Sequence, residues 1–359
     1  MPSPVWSTNE YDPLEAVVVG SVEGAIYPDY GPVAAAVGDP AWLTAYRGAY
    51  VEEDLIDAAT EQLDGLVDLL RAEGITVERP DPMPHNAAFA SPWFQCRGGW
   101  NAANPRDLFL VVGDRVIECA TPQRYRHFES LAYRRLVERW SRSGARCFSA
   151  PRPSLREPLY DWSFVAEPRV GAHGAAPLDD DAPRRYATTE VEAVWEAADF
   201  TRCDDVVFAQ RSHVTNRAGI DWVRRMIADV AQVIELPTRC PAPHHIDTTF
   251  VPLRPRTALV HPQWFGAMPD ALDGWTLIEA PAPQYAEGSP MASPLFTSQW
   301  LSMNVLSLDH DRVIVDASQT ELMARLSAHG FTPIPLPFDA VGAFGGSFHC
   351  ATLDLRRTR

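Results

Sequence analysis

Apolar positions along the chain alternate between helical spacing and short extended runs. An extended run closed by proline recurs as "GITVERP" (74–80), "GARCFSAP" (144–151), "AQVIELP" (231–237), "GWTLIEAP" (274–281) and "GFTPIPLP" (330–337). Four of the five begin with glycine, a residue that commonly ends a helix in left-handed geometry. Helical patterns precede most copies, with apolar residues three and four apart on one face. They read "EEDLIDAATEQLDGLVDLLRAEG" (52–74), "RHFESLAYRRLVERWSRSG" and "QTELMARLSAHG", with a less regular one around "GAMPDALDG".

Strand pairs lie ahead of those helices. "DLFLVVGDRVIEC" (107–119) and "VLSLDHDRVIVDA" (305–317) match almost position for position, and both read as hairpins with a tight polar turn. "TTFVPLRPRTALVHP" (248–262) is a third version and "DVVFAQRSHVTN" (205–216) a fourth. "LEAVVVG" (14–20) opens the first unit, and the last strand, in "FHCATLDLRR", supplies the partner it lacks. Residues 351–355 alternate small or polar with apolar, the pattern of a half-buried strand. The order strand pair, helix, strand thus occurs five times over residues 1–359, with the C-terminus completing the N-terminal module of one domain. Ends that share a module favour closure into a ring, which leaves no open edge. The competing reading is an ordinary mixed α/β domain in which proline-ended strands recur by chance.

Composition narrows the setting. With 46% hydrophobic residues the chain can build a substantial core. The formal charge of −16 disfavours nucleic acid and anionic membranes and favours a cationic partner. Six cysteines without C-x-x-C spacing argue against a disulfide framework or a zinc site. The start has no basic region followed by an apolar stretch, so no signal peptide is expected. No segment approaches membrane-spanning length, and a cytoplasmic location with reduced thiols is expected.

A ring of modules brings polar residues at matching strand heads to one cavity. Asp107 heads the second module, Glu196 and Asp199 precede the third, and His245 and Asp247 head the fourth. Two apart on a strand, His245 and Asp247 would face the same side. Cys350 heads the closing strand behind Gly345 and Gly346, which permit a sharp turn. Taken singly, each carboxylate reads as a cap or turn residue, and the cysteine as a small buried apolar group. Together they describe a reaction. A cysteine attacks as thiolate and needs a neighbour to reach that state near neutral pH. A histidine can exchange the proton with a leaving group, and a carboxylate fixes the histidine's tautomer. The surplus aspartates suit a guanidinium, which carboxylates receive through paired hydrogen bonds, with thiolate attack at its central carbon. A metal site at His244, His245 and Asp247 is not expected, because adjacent strand residues point oppositely.

The segments "NEYDPLEAVVVG", "NPRDLFLVVGDRVIE", "AADF", "FAQRSHVTNRAGIDWVRR", "HIDTTF", "WLSMNVLSLD" and "GGSFHC" span nearly the whole chain. On them the sequence resembles the amidinotransferases, the family of glycine amidinotransferase and of the inosamine-phosphate amidinotransferases of antibiotic pathways. The resemblance implies a five-bladed pseudosymmetric α/β-propeller of ββαβ modules around a central active-site cavity. It implies Cys350 as nucleophile, His245 as general acid/base and Glu196 as third triad member, where amidinotransferases carry Asp and deiminases Glu. Asp199 is the alternative acid. Asp107 and Asp247 match guanidinium-binding aspartates, and Ser298 a substrate-contacting serine whose plain reading is a solvated loop hydroxyl. The implied substrates are the small molecules L-arginine and an amine acceptor, transformed in a ping-pong cycle without metal or organic cofactor in specialised metabolism. Oligomeric state stays open, a homodimer included. Two departures bear on specificity. Trp264, in "VHPQW", stands near the place of the arginine that binds the donor carboxylate in glycine-forming members. "PAPHHID" replaces the Asn-Pro-Met-His-Ile-Asp form of glycine acceptors, which argues for another amine. Hydrolysis of a guanidino compound and a non-catalytic binding propeller are the alternative functions.

Overall fold

The structure, a computed structural model, describes residues 3–166, 176–266, 269–292, 294 and 297–358. Among the described residues lie five three-stranded sheets and a two-stranded one. Each three-stranded sheet has one plan: an antiparallel pair, and a third strand parallel to the middle member. In the first module Leu14–Val19 pairs antiparallel with the C-terminal Thr352–Arg357 and parallel with Thr76–Glu78. The second joins Phe109–Val112, Arg115–Glu118 and Arg146–Ser149, and the third Phe200–Cys203, Val206–Ala209 and Gln232–Glu235. The fourth joins Phe250–Arg254, Thr257–Val260 and Thr276–Glu279, and the fifth Leu306–Ser307, Arg312–Asp316 and Thr332–Leu336.

A parallel return needs a crossover. Helices Glu53–Ala72, Arg134–Arg142, Arg217–Met226 and Thr320–Ala328 provide it in four modules. In the fourth module the expected helix over 266–274 is a single 3-10 turn, Asp270–Leu272, and residues 267 and 268 lie outside the described set. No helix among the described residues is long and apolar enough to cross a membrane.

Successive residues of the middle strands feed different cores, because side chains alternate across a sheet. Val18 packs with second-module residues Phe109 and Val111, whereas Val17 and Val19 pack with Leu306 and Ile314 of the fifth. Leu110 and Val112 join Val207 and Ala209, while Phe208 joins Phe250 and Ala258. Leu259 joins Val313 and Val315. Each of these five cores is therefore shared between neighbouring modules, and the fifth module's second core is shared with the first.

Two extended segments differ from the sequence reading. The third hairpin pairs Val206–Ala209 with the upstream Phe200–Cys203, and residues 210–216 form a loop. The closing strand is buried on both faces. Leu353 and Leu355 enter an apolar core, while Asp354 enters an ion-pair cluster with Arg106, Arg202 and Arg357. A polar residue at an alternating position reads as solvent-facing until its buried partners are known.

Candidate active site

The strand heads turn out to be helical turns. Asp107 sits in Pro105–Leu108, Asp199 in Ala197–Asp199 with Glu196 as its N-cap, and Asp247 in Ile246–Thr248 with His245 as its N-cap. Ser298 is the N-cap of Gln299–Met303, and Cys350 ends a turn just before Thr352–Arg357. Each turn leads into the first strand of its antiparallel pair and presents its polar groups inward. Because His245 and Asp247 lie in a turn, alternation does not govern this stretch. The His244 and His245 rings lie against each other, with centroids 4.2 Å apart. The alternation argument against a shared histidine site therefore fails on local geometry.

The structure brings together five of the singled-out residues. Cys350 Sγ lies 3.3 Å from Asp247 Oδ2. Ligating atoms of Cys350, His245 and Asp107 all lie within 4.8 Å of one another. His245 Nε2 is 3.0 Å from Glu196 Oε2, and its Nδ1 is 3.7 Å from Asp107 Oδ1. Glu196 thus reaches the imidazole, whereas Asp199 accepts a 2.5 Å bond from Ser212 Oγ and acts on His245 only through its field. Ser298 is partly exposed, accepts the Trp300 backbone N–H and lines the cleft.

The cysteine turn is tightly specified. Asn304 Oδ1 accepts the Ser347 and Cys350 backbone N–H groups, and Asn304 Nδ2 donates to Cys350 Sγ at 3.2 Å. Gly345 has φ +90°, and a Cβ on Gly346 would lie 2.2 Å from Asn104 Oδ1 and 2.5 Å from Cys350 Cβ. Both positions require glycine, the first for backbone geometry and the second for space. Arg106 donates to the carbonyls of His349 and Thr352 at 2.7 and 3.0 Å, clamping the turn from below. The same guanidinium is paired with Glu10 and Asp354.

Sequence reasoning did not single out Arg126, Asn304, His349, Arg106 or Gln210. Arg126 is buried with Nη1 2.8 Å from Asp107 Oδ2 and 3.2 Å from Glu196 Oε2, and it also holds Glu129. His349 Nδ1 lies 2.9 Å from Asp247 Oδ2. Gln210 lines the cleft, and both its amide atoms are buried without a hydrogen-bond partner among the described residues. Arg106, Asn304 and His349 lie inside motifs already singled out, so proximity along the chain was their signal. Arg126 opens "RHFESLAYRRLVERWSRSG", where helical spacing gave no sign of its buried charge.

Burial resists ionisation of Glu196, but Arg126 and His245 outweigh it and hold the carboxyl below its ordinary range. Burial likewise opposes a charged His245, yet Asp107, Glu196 and Asp199 raise it to about 10. The Cys350 thiol is pushed well up by burial and by Asp247 and Asp107. Asp107 Oδ1 and Asp247 Oδ1 are buried without a hydrogen-bond partner among the described residues. A cleft partly open to solvent is lined by His244, His245, Asp247, Ser298, Trp264 and Gly345 among others. Trp264 lies flat on His261, with ring centroids 3.9 Å apart.

Among the described residues, two groups could present metal ligands: Asp107–His245–Cys350 and Glu196–His244–His245. Arg126 already contacts a carboxylate of each group. Its fixed positive charge opposes a second cation there.

No protein-family model matches the chain. It is 37% identical to the L-arginine:L-lysine amidinotransferase of Pseudomonas savastanoi pv. phaseolicola, over 99% of this chain and 95% of that one. SxtG, an amidinotransferase of the saxitoxin biosynthetic pathway from Microseira wollei, superposes with a TM-score of 0.88 at 38% identity, covering 99% of this chain and 97% of that chain. Inosamine-phosphate amidinotransferase StrB1 from Streptomyces griseus gives 0.84 at 31%, covering 99% and 98%. These are mixed α/β transferases matched from end to end. The chain belongs to the amidinotransferase family.

Proposed function

We propose that the chain transfers the amidino group of L-arginine to an amine through a covalent amidino-Cys350 intermediate. The five modules act as blades of a closed propeller, and the shared cores between each neighbouring pair support that reading. Its axis is the place where the strand-entry turns meet, so five separated sequence positions can serve one substrate. The observation that carries the function is that Asp107 and Asp247, whose carboxylates lie close to the sulfur, each keep a buried Oδ1 with no hydrogen-bond partner among the described residues. An unpaired buried carboxylate oxygen is costly, and a guanidinium would supply both with donors.

The electrostatics then order the steps. Without substrate, burial and two aspartates keep Cys350 a thiol. A bound guanidinium offsets those negative charges and favours loss of the thiol proton to solvent, which leaves the thiolate beside imidazolium His245. The thiolate attacks the guanidino carbon, the bond to the side-chain nitrogen breaks, and His245 gives that nitrogen a proton as ornithine leaves. The amidino group stays on sulfur as a cation between Asp107 and Asp247. Neutral His245 later takes a proton from the attacking acceptor nitrogen while the carbon–sulfur bond breaks. Glu196, fixed by Gln123 at 2.7 Å and by Thr121, holds the imidazole throughout. Ser298 at the cleft wall contacts the substrate body. The similarity to SxtG, from the saxitoxin biosynthetic pathway, supports a role in specialised metabolism.

Intact-mass spectrometry after arginine alone should show one amidino group on the enzyme and one ornithine released per site, with neither in Cys350→Ala. An amine should then discharge the adduct. Citrulline and ammonia as the products would replace transfer with hydrolysis, and a Cys350→Ala enzyme that still forms ornithine would end the covalent reading.

A further inference from the structure

We propose that His244 is a second acid–base group of this reaction, which takes the proton an ammonium acceptor must shed before it can attack the amidino-cysteine. The inference rests on the transfer reading above and deepens it. His244 lines the cleft beside His245. The two ring centroids are 4.2 Å apart, with 36° between the planes. Ligating atoms of Glu196, His244 and His245 lie within 4.8 Å of one another. His244 Nδ1 is buried and has no hydrogen-bond partner among the described residues. A buried imidazole nitrogen without a partner is costly unless something else meets it, and the adjoining space is the cleft.

Proton balance creates a need for such a group. An alkylamine enters as ammonium. It must lose one proton to become a nucleophile and a second when the new carbon–nitrogen bond forms. The product guanidinium keeps one positive charge, the sulfur leaves as thiolate, and His245 becomes imidazolium. His245 therefore accounts for one proton, and the other must go to a different base. His244 can accept it on Nδ1 and release it through the cleft to water. In the first half-reaction the direction reverses: ornithine receives one proton from His245 and its second from water.

The surroundings leave His244 neutral, so a proton it takes from the ammonium is passed on at once to water in the cleft. The groups acting on it are His245, Glu196, His213 and Arg126. Burial holds it well below the ordinary histidine range, helped by His245, His213 and Arg126 and opposed by Glu196. His245, one residue on, is pushed the opposite way. Neighbouring groups driven apart in this manner divide acid and base roles between them.

The test uses full-length enzyme pre-loaded with arginine, and compares wild type with His244→Met in single-turnover discharge of the adduct. Two kinds of acceptor are used: the fastest of n-butylamine, L-lysine and glycine, and hydroxylamine, which is mostly unprotonated at neutral pH. Losing a general base costs about 10²-fold or more. The variant should lose about that factor with the alkylamine, and at least about ten-fold less with hydroxylamine. The alkylamine deficit should also shrink as pH rises toward the amine's own pKa. Equal losses for both acceptors, or no loss for either, would overturn the role of His244. So would a wild-type adduct that none of the amines discharges faster than water. A wild-type enzyme that arginine does not amidinate would instead refute the transfer reading itself, and the ornithine burst of His244→Met reports separately that the variant is folded.

Discussion

Glu196→Gln isolates one charge while preserving shape. In the wild type, Glu196 Oε2 sits 3.0 Å from His245 Nε2 and accepts from Arg126 at 3.2 Å. Its other oxygen accepts from Gln123 and Thr121. Glutamine can keep those two bonds, and Arg126 retains Asp107 and Glu129, so the variant should fold. The raised His245, about 10 against an ordinary 6.5, corresponds to roughly 5 kcal/mol in favour of imidazolium at ~1.36 kcal/mol per pH unit. Asp107, Glu196 and Asp199 share that effect, and a hydrogen bond to a charged group is worth about 1.5–3 kcal/mol. Removing Glu196's share should bring the alkaline limb of the ornithine burst down by about one to two pH units. It should slow the burst at neutral pH roughly 10- to 100-fold through loss of tautomer and charge control. The stability consequence has a definite sign. A raised histidine stabilises the fold below its unfolded value, and that stability is lost as pH rises through about 10. Glu196→Gln should therefore lose stability at acidic and neutral pH, and the gap from wild type should narrow as pH rises toward 10 and close above it. Stopped-flow quench with ornithine detection, run from neutral to alkaline pH, measures the rate. An alkaline limb that stays in place, with a burst within about three-fold of wild type, would refute the reasoning.

Two further outcomes follow from the same geometry. Asp247→Asn keeps the shape but removes the charge that faces both sulfur and guanidinium; adduct formation at saturating arginine should fall about 10²-fold, and the arginine concentration for half-saturation should rise about ten-fold in rapid-quench titration. Arg106→Met removes the guanidinium that holds Glu10, Asp354 and the cysteine turn, and breaking a buried ion network this way costs about 3–5 kcal/mol, measurable as a lower urea midpoint, so an unchanged midpoint would show that the clamp contributes nothing.

The repeat of strand pair, helix and strand was legible in the amino-acid order, because burial on a sheet or helix face imposes a period that one chain displays locally. So were Cys350, His245, Asp107 and Asp247, since each opens a recurring module and carries a side chain suited to guanidinium chemistry. Glu196 and Asp199, three apart before the same strand, could not be separated by sequence. Only the tertiary structure aims one at His245 and the other at Ser212, because the choice depends on where the next module's turn falls. Nor could a polar alternating residue such as Asp354 be recognised as buried before Arg106 and Arg202, distant in sequence, closed around it. Arg126 and the pairing of the two histidine rings were hidden for a similar reason. Local periodicity records which face of an element is covered, whereas charge pairing and proton transfer depend on distances between elements that only folding sets.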